Sequence, residues 1–194
     1  MLTCFLFLFK IESLISQPIP EKRNYALIHK QTATWCKYCG SWGWELQDSL
    51  EKNYKDIALV VSLHANNSGL QNTLTKAWND NFSVSNSIPC WYANGIDQTK
   101  WSSGNVYVYK IRENIKMEVN KFSSATVVAS SSFKYNFNGD SISVISNVKF
   151  FQNTTGEYYL GVYLFEDSVL FKQTTLNGEE IKSHNNLLRY SLND

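Results

Sequence analysis

Two cysteines with two residues between them, in Thr34-Trp35-Cys36-Lys37-Tyr38-Cys39-Gly40, constrain this chain more than any other feature. A strand-like run, Tyr25 to Lys30, leads into them, and a helix-like run, Cys39 to Tyr54, leads away. A cysteine at the head of a helix meets unsatisfied N–H groups and the positive end of the helix dipole, and both favour thiolate over thiol. Cys36 is therefore expected as the exposed nucleophile. Cys39, one helical turn on, is expected to resolve a mixed disulfide by attacking Cys36. Two other roles fit the same spacing, an inert structural disulfide and half of a zinc site. The zinc reading wants a second ligand pair, and the chain has no other CxxC or close Cys/His pair.

The pattern around the pair alternates between strand and helix. Trp42, Leu46, Leu50 and Tyr54 repeat in steps of three and four, one face of a helix that Gly40 and Gly43 weaken at its start. Ile57 to Leu63 is a continuous apolar run rich in β-branched residues, suited to a strand buried on both faces. Leu70, Leu74, Ala77 and Trp78 make a second helical stripe. Ser87 to Tyr92 is strand-like and Asn94-Gly95 signals a tight hairpin; Val108, Ile111, Ile115, Val119 and Phe122 mark a third helix. This order predicts an α/β sheet covered by helices. Beyond Ser123 the chain reads as short strands: Val127 to Phe137, Ile142 to Phe150, Tyr158 to Phe165 and Val169 to Gln173, with turns at Asn138-Gly139-Asp140 and Thr154 to Gly156. Strands so spaced suggest a small all-β sandwich. The expected division is an N-terminal segment at 1–19, an α/β domain at 20–122 and the sandwich-like domain at 123–194.

Composition narrows the class. A formal net charge of +1 over 194 residues points to no nucleic-acid or polyanion partner. Only 18% of residues are charged, and Asn, Ser and Thr supply much of the polarity, a balance that suits an exported β-rich protein. The apolar stretch Met1 to Phe9 resembles part of a secretory signal with a cleavage point at Ser16–Gln17. Leu2-Thr3-Cys4 also fits the end of a lipoprotein signal, and an ordinary buried segment fits as well. No run reaches the ~20 apolar residues that a membrane helix needs.

Trp35-Cys36-Lys37-Tyr38-Cys39-Gly40, with Ile88-Pro89 some fifty residues later ahead of a strand, resembles the thioredoxin superfamily. The resemblance implies an α/β thioredoxin-like fold, thiol–disulfide exchange with protein or peptide thiols, no cofactor, and a cis bond before Pro89, which faces the disulfide. Trp35, Ile88 and Cys90 are then expected to meet the substrate beside the catalytic set of Cys36, Cys39 and Pro89. Within the superfamily, Thr34 to Trp42, the β-rich C-terminal part and His184-Asn185-Asn186-Leu187-Leu188-Arg189 resemble the Omp28-related outer-membrane proteins of Bacteroidetes, over roughly residues 20 to 192. That likeness implies a bacterial envelope location, in the periplasm, at the outer membrane or outside the cell, and an envelope protein as partner.

Three departures from the superfamily pattern bear on mechanism. Lys30 stands where thioredoxins carry a buried Asp, six residues before the first cysteine; a cation there favours thiolate and an oxidising or isomerising pair. Lys37-Tyr38 replaces Gly-Pro between the cysteines. Cys90 follows Pro89 where thioredoxins carry Thr, as a third redox thiol, a metal ligand with Cys36 and Cys39, or a small buried hydrophobe. His29, His64 and His184 form no motif and read as structural. Trp35, Trp42, Trp44, Trp91 and Tyr92 offer either an aromatic surface for an extended peptide or core packing. In a second reading, from a different class, the chain is a surface or outer-membrane binding module and the cysteine pair only staples the start of its helix.

Overall fold

A computed structural model describes residues 18–82, 87–99 and 107–192. The N-terminal apolar segment, with Cys4 and the Ser16–Gln17 cleavage point, lies outside the described residues. In chain order the elements are β1 (Ala26–Thr32), α1 (Trp42–Tyr54), β2 (Ala58–His64), α2 (Thr73–Asn81), β3 (Cys90–Ala93), β4 (Ile96–Asp97), α3 (Val108–Ser123), β5 (Ala129–Asn138), β6 (Ser141–Phe150), β7 (Tyr163–Glu166), β8 (Val169–Thr175), β9 (Gly178–His184) and β10 (Leu187–Ser191). The chain divides into two compact units, Met1–Arg23 with Val127–Thr154, and Asn24–Thr126 with Thr155–Asp194.

The larger unit is built on a six-stranded mixed sheet of order β4-β3-β1-β2-β10-β7. β1 runs parallel to β2 in the register Ala26↔Ala58 to Thr32↔His64, and antiparallel to β3. One face carries α1 and α3. Leu46 and Leu50 of α1 and Ile111, Ile115 and Val119 of α3 close on Ile28, Val60 and Trp91. Each Leu or Ile so buried stabilises the fold by about 2 kcal/mol. On the other face Leu74 and Trp78 of α2 pack with Val61, Leu63 and Leu188. The alternation of β2 serves both cores: Val60 faces α1 and Val61 faces α2.

Turn chemistry places several elements where the sequence puts them. Asn94 and Gly95 both take positive φ, 49° and 82°, as a two-residue hairpin requires. The second helix starts later than its apolar stripe suggests. Asn72 caps it, accepting from the Thr75 N–H at 2.8 Å and donating to Thr75 Oγ1 at 2.9 Å, so Leu70 is buried in the preceding loop. Asn72 also donates from Nδ2 to the carbonyl of Leu188 at 2.8 Å, which ties α2 to β10.

The C-terminal strands sort differently from the sequence-based boundary at 122/123. β10 enters the main sheet beside β2, through the pair Leu187↔Ser62, and carries β7 on its far edge. Arg189 Nε donates to Glu166 Oε2 at 2.7 Å across that last pair. β7 covers only the end of the expected strand at Tyr158 to Phe165. β8 and β9 form a separate two-stranded hairpin. Local alternation marks a strand, but it carries no information about which strand lies alongside.

The smaller unit is an antiparallel ribbon of β5 and β6. Its pairs Phe133↔Ser146, Tyr135↔Val144 and Phe137↔Ile142 gather an apolar face on which the three aromatic rings are exposed. Pairing also sets Ser132 opposite Asn147. Ser132 Oγ and Asn147 Nδ2 both donate to the carbonyl of Pro18, at 2.5 and 3.1 Å.

Candidate functional site

β1 ends at Thr32 and delivers a loop, 33–41, that carries the cysteine pair. Cys36 and Cys39 are joined as a disulfide with Cα atoms 5.2 Å apart. The N–H of Cys39 points at Cys36 Sγ at 3.1 Å, and the N–H of Gly40 donates to the Cys36 carbonyl at 3.1 Å. The continuous helix begins only at Trp42, with Ser41 as its N-cap. This corrects the expected start at Cys39: the pair sits in turns ahead of α1. The physical reason lies in Ser41, whose hydroxyl donates to the Lys37 carbonyl at 2.9 Å and accepts the Leu176 N–H at 3.0 Å. It is therefore not spent on capping α1.

A second correction concerns exposure. Cys36 is 6% exposed and Cys39 is wholly buried, so the expected exposed nucleophile is nearly covered. The cover is the β8–β9 hairpin. Gln173 Nε2 donates to the carbonyls of Ala33 and Cys36, at 3.2 and 3.1 Å. The Thr174 N–H donates to the Thr34 carbonyl at 2.7 Å. Gly40 is pressed so closely that an added Cβ would lie 2.2 Å from the Thr174 oxygen. Nothing in the sequence near the cysteines announces Gln173. The only signal is a polar residue on the inward side of β8, between Phe171 and Thr175.

The Ile88–Pro89 bond is cis, as the resemblance implies. The Ile88 carbonyl oxygen lies 3.5 Å from Cys36 Sγ, and the Ile88 side chain packs with Ala65 against the cluster of Ala33, Cys36 and Cys39. Pro89 rests on the first turn of α1, where Gly43 leaves space: a Cβ there would meet Pro89 Cγ at 3.0 Å. Trp35 is 52% exposed, its indole N–H donating to the Asn66 carbonyl at 3.2 Å, and it rims a cleft of about 240 Å³ with Phe171 and the Lys172–Glu179 pair. So Cys36, Cys39 and Ile88 come together, Pro89 lies against the first turn of α1, and Trp35 turns to the separate cleft beside Phe171.

Cys90 does not face solvent. It is fully buried, with its Sγ 3.8 Å from both Tyr92 Oη and Asp97 Oδ1, so it presents no surface to a substrate in this form of the protein. Burial and the neighbouring Cys90 push the Tyr92 phenol above its ordinary range. Among the described residues no group of three or more His, Cys, Asp or Glu is arranged to hold a metal ion.

Behind the loop, on the α1 face, lies a buried basic cluster. Lys30 is 1% exposed, with its ammonium over the rings of Trp44 and Trp91 at 5.3 and 5.7 Å. Burial lowers its pKa to about 8, against the opposing pull of Glu51 and Asp48. His64 and His184 lie with ring centres 5.3 Å apart, and His184 meets Trp44 edge-on at 4.9 Å. Burial holds His184 at about 4 and drives His64 well below its ordinary value; Lys30 adds to both effects. Both ring nitrogens of His64 and Nε2 of His184 have no hydrogen-bond partner. On the opposite face His29 is caged by Trp78, Phe82 and Tyr92 and is held at about 4 by burial. The three histidines are thus neutral core residues, and the Asn186 that follows His184 and Asn185 donates from Nδ2 to Glu51 at 3.1 Å, binding β10 to α1.

No protein-family model matches the chain, and no curated protein matches it in sequence. Among solved structures it is similar to HBP35 of Porphyromonas gingivalis, at 15% identity and a TM-score of 0.63, over 90% of this chain and 58% of that one. The chain thus spans a little over half of that protein's length, and the likeness is one of fold.

Proposed function

We propose that this is an exported thioredoxin-fold protein, carrying additional β structure, that exchanges disulfides with protein or peptide thiols through Cys36 and Cys39. The observation that carries the reading is a CxxC disulfide packed directly against Ile88, with its carbonyl oxygen 3.5 Å from Cys36 Sγ. That carbonyl lies in the bend just ahead of β3, where a substrate backbone would pass to reach Cys36.

In the oxidising direction a substrate thiolate attacks Cys36 Sγ, the Cys36–Cys39 bond breaks and Cys39 leaves as thiolate. A second substrate thiolate then attacks the substrate sulfur of the mixed disulfide, and Cys36 leaves. Two electrons pass from the substrate dithiol to the protein, which ends as the dithiol. A cation near the pair would favour thiolate and hence an oxidising pair, and Lys30 is a buried cation in the strand that leads to Cys36. The neighbour in a Bacteroidetes organism supports an envelope or extracellular setting, and no described helix is long and apolar enough to cross a membrane.

The burial of both sulfurs favours a second reading, in which the disulfide is a staple inside an envelope binding module. Equilibration with glutathione separates the two. The exchange reading expects a potential within the range of oxidoreductases, with refolding of a scrambled substrate by wild type and none by Cys36→Ser. Equal refolding rates for the two proteins, or a pair resistant to glutathione, would leave only the staple.

A further inference from the structure

The β5–β6 ribbon has two unlike faces. Residues directly opposite each other share a face, and every second residue along a strand returns to it. Ser132 and Asn147 lie on one face, where both donate to the Pro18 carbonyl. On the other, Phe133, Tyr135 and Phe137 of β5 stand beside Ile142, Val144 and Val148 of β6. Over that span only Ser131 and Ser146 are polar, and no charged residue falls on the face. The three rings are 64%, 61% and 68% exposed. An aromatic side chain carries about 150–250 Å², so three of them at this exposure leave about 400 Å² in the open. The exposed Val148 and the half-buried Ile142 and Val144 bring the face to roughly 600 Å², the upper end of what a monomer leaves uncovered. Two strands alone make a marginal structure in water, and an apolar sheet face is stabilised by a second layer. Among the described residues no third strand joins β5 and β6.

We infer that this face is the contact between two copies of the chain, each ribbon supplying one layer of a β-sandwich. The area fits: two such faces brought together remove about 1,200 Å², the size at which specific interfaces begin. The relief fits as well. Tyr135 and Phe137 meet edge to face, with ring centres 5.7 Å apart and planes at 75°. Rings so crossed make a ridge and not the flat platform that a sugar ring needs, and ridged apolar faces interdigitate when two sheets stack. The charge pattern points the same way. A face without charge selects no charged partner and meets no repulsion from its own copy, and a net charge of +1 adds almost none at longer range. An isologous pairing, with the same patch on both chains, satisfies all three conditions.

The test is sedimentation equilibrium of the full chain carrying Cys4→Ser, which removes one source of intermolecular disulfides. An interface at the lower end of the size range is weak. The weight-average mass is therefore expected to climb from the 22.3 kDa of one chain toward twice that between about 1 and about 300 µM. Tyr135→Lys with Phe137→Lys places two charges on the face and is expected to hold the mass at one chain throughout. Asn136→Lys lies between them on the opposite face and is expected to dimerise like the parent. Hydroxyl-radical labelling of the parent needs no variant. Labelling of Phe133, Tyr135 and Phe137 is expected to fall at least about threefold across the same concentrations, with the exposed Tyr159 unchanged. A mass of one chain at every concentration would overturn the inference. So would a dimer that survives the two lysines in a chain whose urea midpoint at low concentration matches the parent's. Rings labelled equally at both ends of the range would overturn it whether or not the lysine variant folds. A dimer seen only after residues 1–17 are removed would overturn it too, by giving the face to the chain's own N-terminal segment.

Discussion

Gln173 donates a hydrogen bond from Nε2 to the carbonyl of Cys36 at 3.1 Å, across 137 residues of sequence. A second bond from the same nitrogen reaches Ala33, and the side chain is 1% exposed. Gln173→Leu strips both carbonyls of a donor, while it also removes the unpartnered Oε1. The oxidised protein is expected to lose about 1–2 kcal/mol of stability, read as a lower urea midpoint at unchanged slope. Reduction by dithiothreitol is expected to be faster, since the hairpin that covers Cys36 is released.

Gly40→Ala probes the same contact from the other side. Its Cβ would fall 2.2 Å from the Thr174 oxygen and 2.7 Å from Gln173 Cγ, and the first is backbone that must move. A loss of about 1–3 kcal/mol is expected in urea unfolding. Because both changes act on one interface, the double variant Gly40→Ala with Gln173→Leu should lose less than the sum of the singles.

Lys30 makes stability depend on alkaline pH. Its folded pKa of about 8 lies below the ordinary 10.5. Between those values the unfolded chain holds the proton and the folded chain does not, so stability rises with pH through this window. Below about pH 8 the fold carries a buried ammonium at a cost on the order of 3 kcal/mol. Lys30→Met is expected to raise stability at pH 7 and to abolish the rise between pH 8 and 10.5, measured by urea unfolding across that range.

His29 acts at the acid end. Its folded pKa of about 4 is depressed from 6.5, so its neutral form supports the fold above pH 6.5 and that support is lost as pH falls toward 4. His184 titrates in the same window and in the same direction. His29→Phe keeps an aromatic ring among Trp78, Phe82 and Tyr92 and removes one proton-binding site. Its loss of stability between pH 6.5 and 4 should be smaller than that of wild type by on the order of 3 kcal/mol. Equal losses in both proteins would contradict the assignment.

Features set by neighbours in sequence were readable from the chain alone. The strand before Cys36, the apolar stripe of α1 and the Asn94-Gly95 turn all rest on local periodicity or local backbone preference. The Cys36–Cys39 link follows from spacing. Features set by distant pairing were not readable. The hairpin turn at Asn138-Gly139-Asp140 joins Ala129–Asn138 to Ser141–Phe150 and is legible locally, but no local pattern names which strand lies beside β2. The same limit hid the entry of Leu187 and Leu188 into the main sheet and the descent of Gln173 onto the cysteine loop. Exposure of Cys36 was misjudged for this reason, because its cover comes from β8 and not from its own helix.

The insertion of β10 between β2 and β7 has a consequence for synthesis on the ribosome. Until residues 187–191 emerge, β2 is an outer strand, with Ser62 unable to donate its N–H to Asn186 and Val61 and Leu63 lacking Leu188 above them. A chain in which β1 and β2 pair before β10 is made would therefore display β2 as an unsealed border, the kind of border that recruits stray strands.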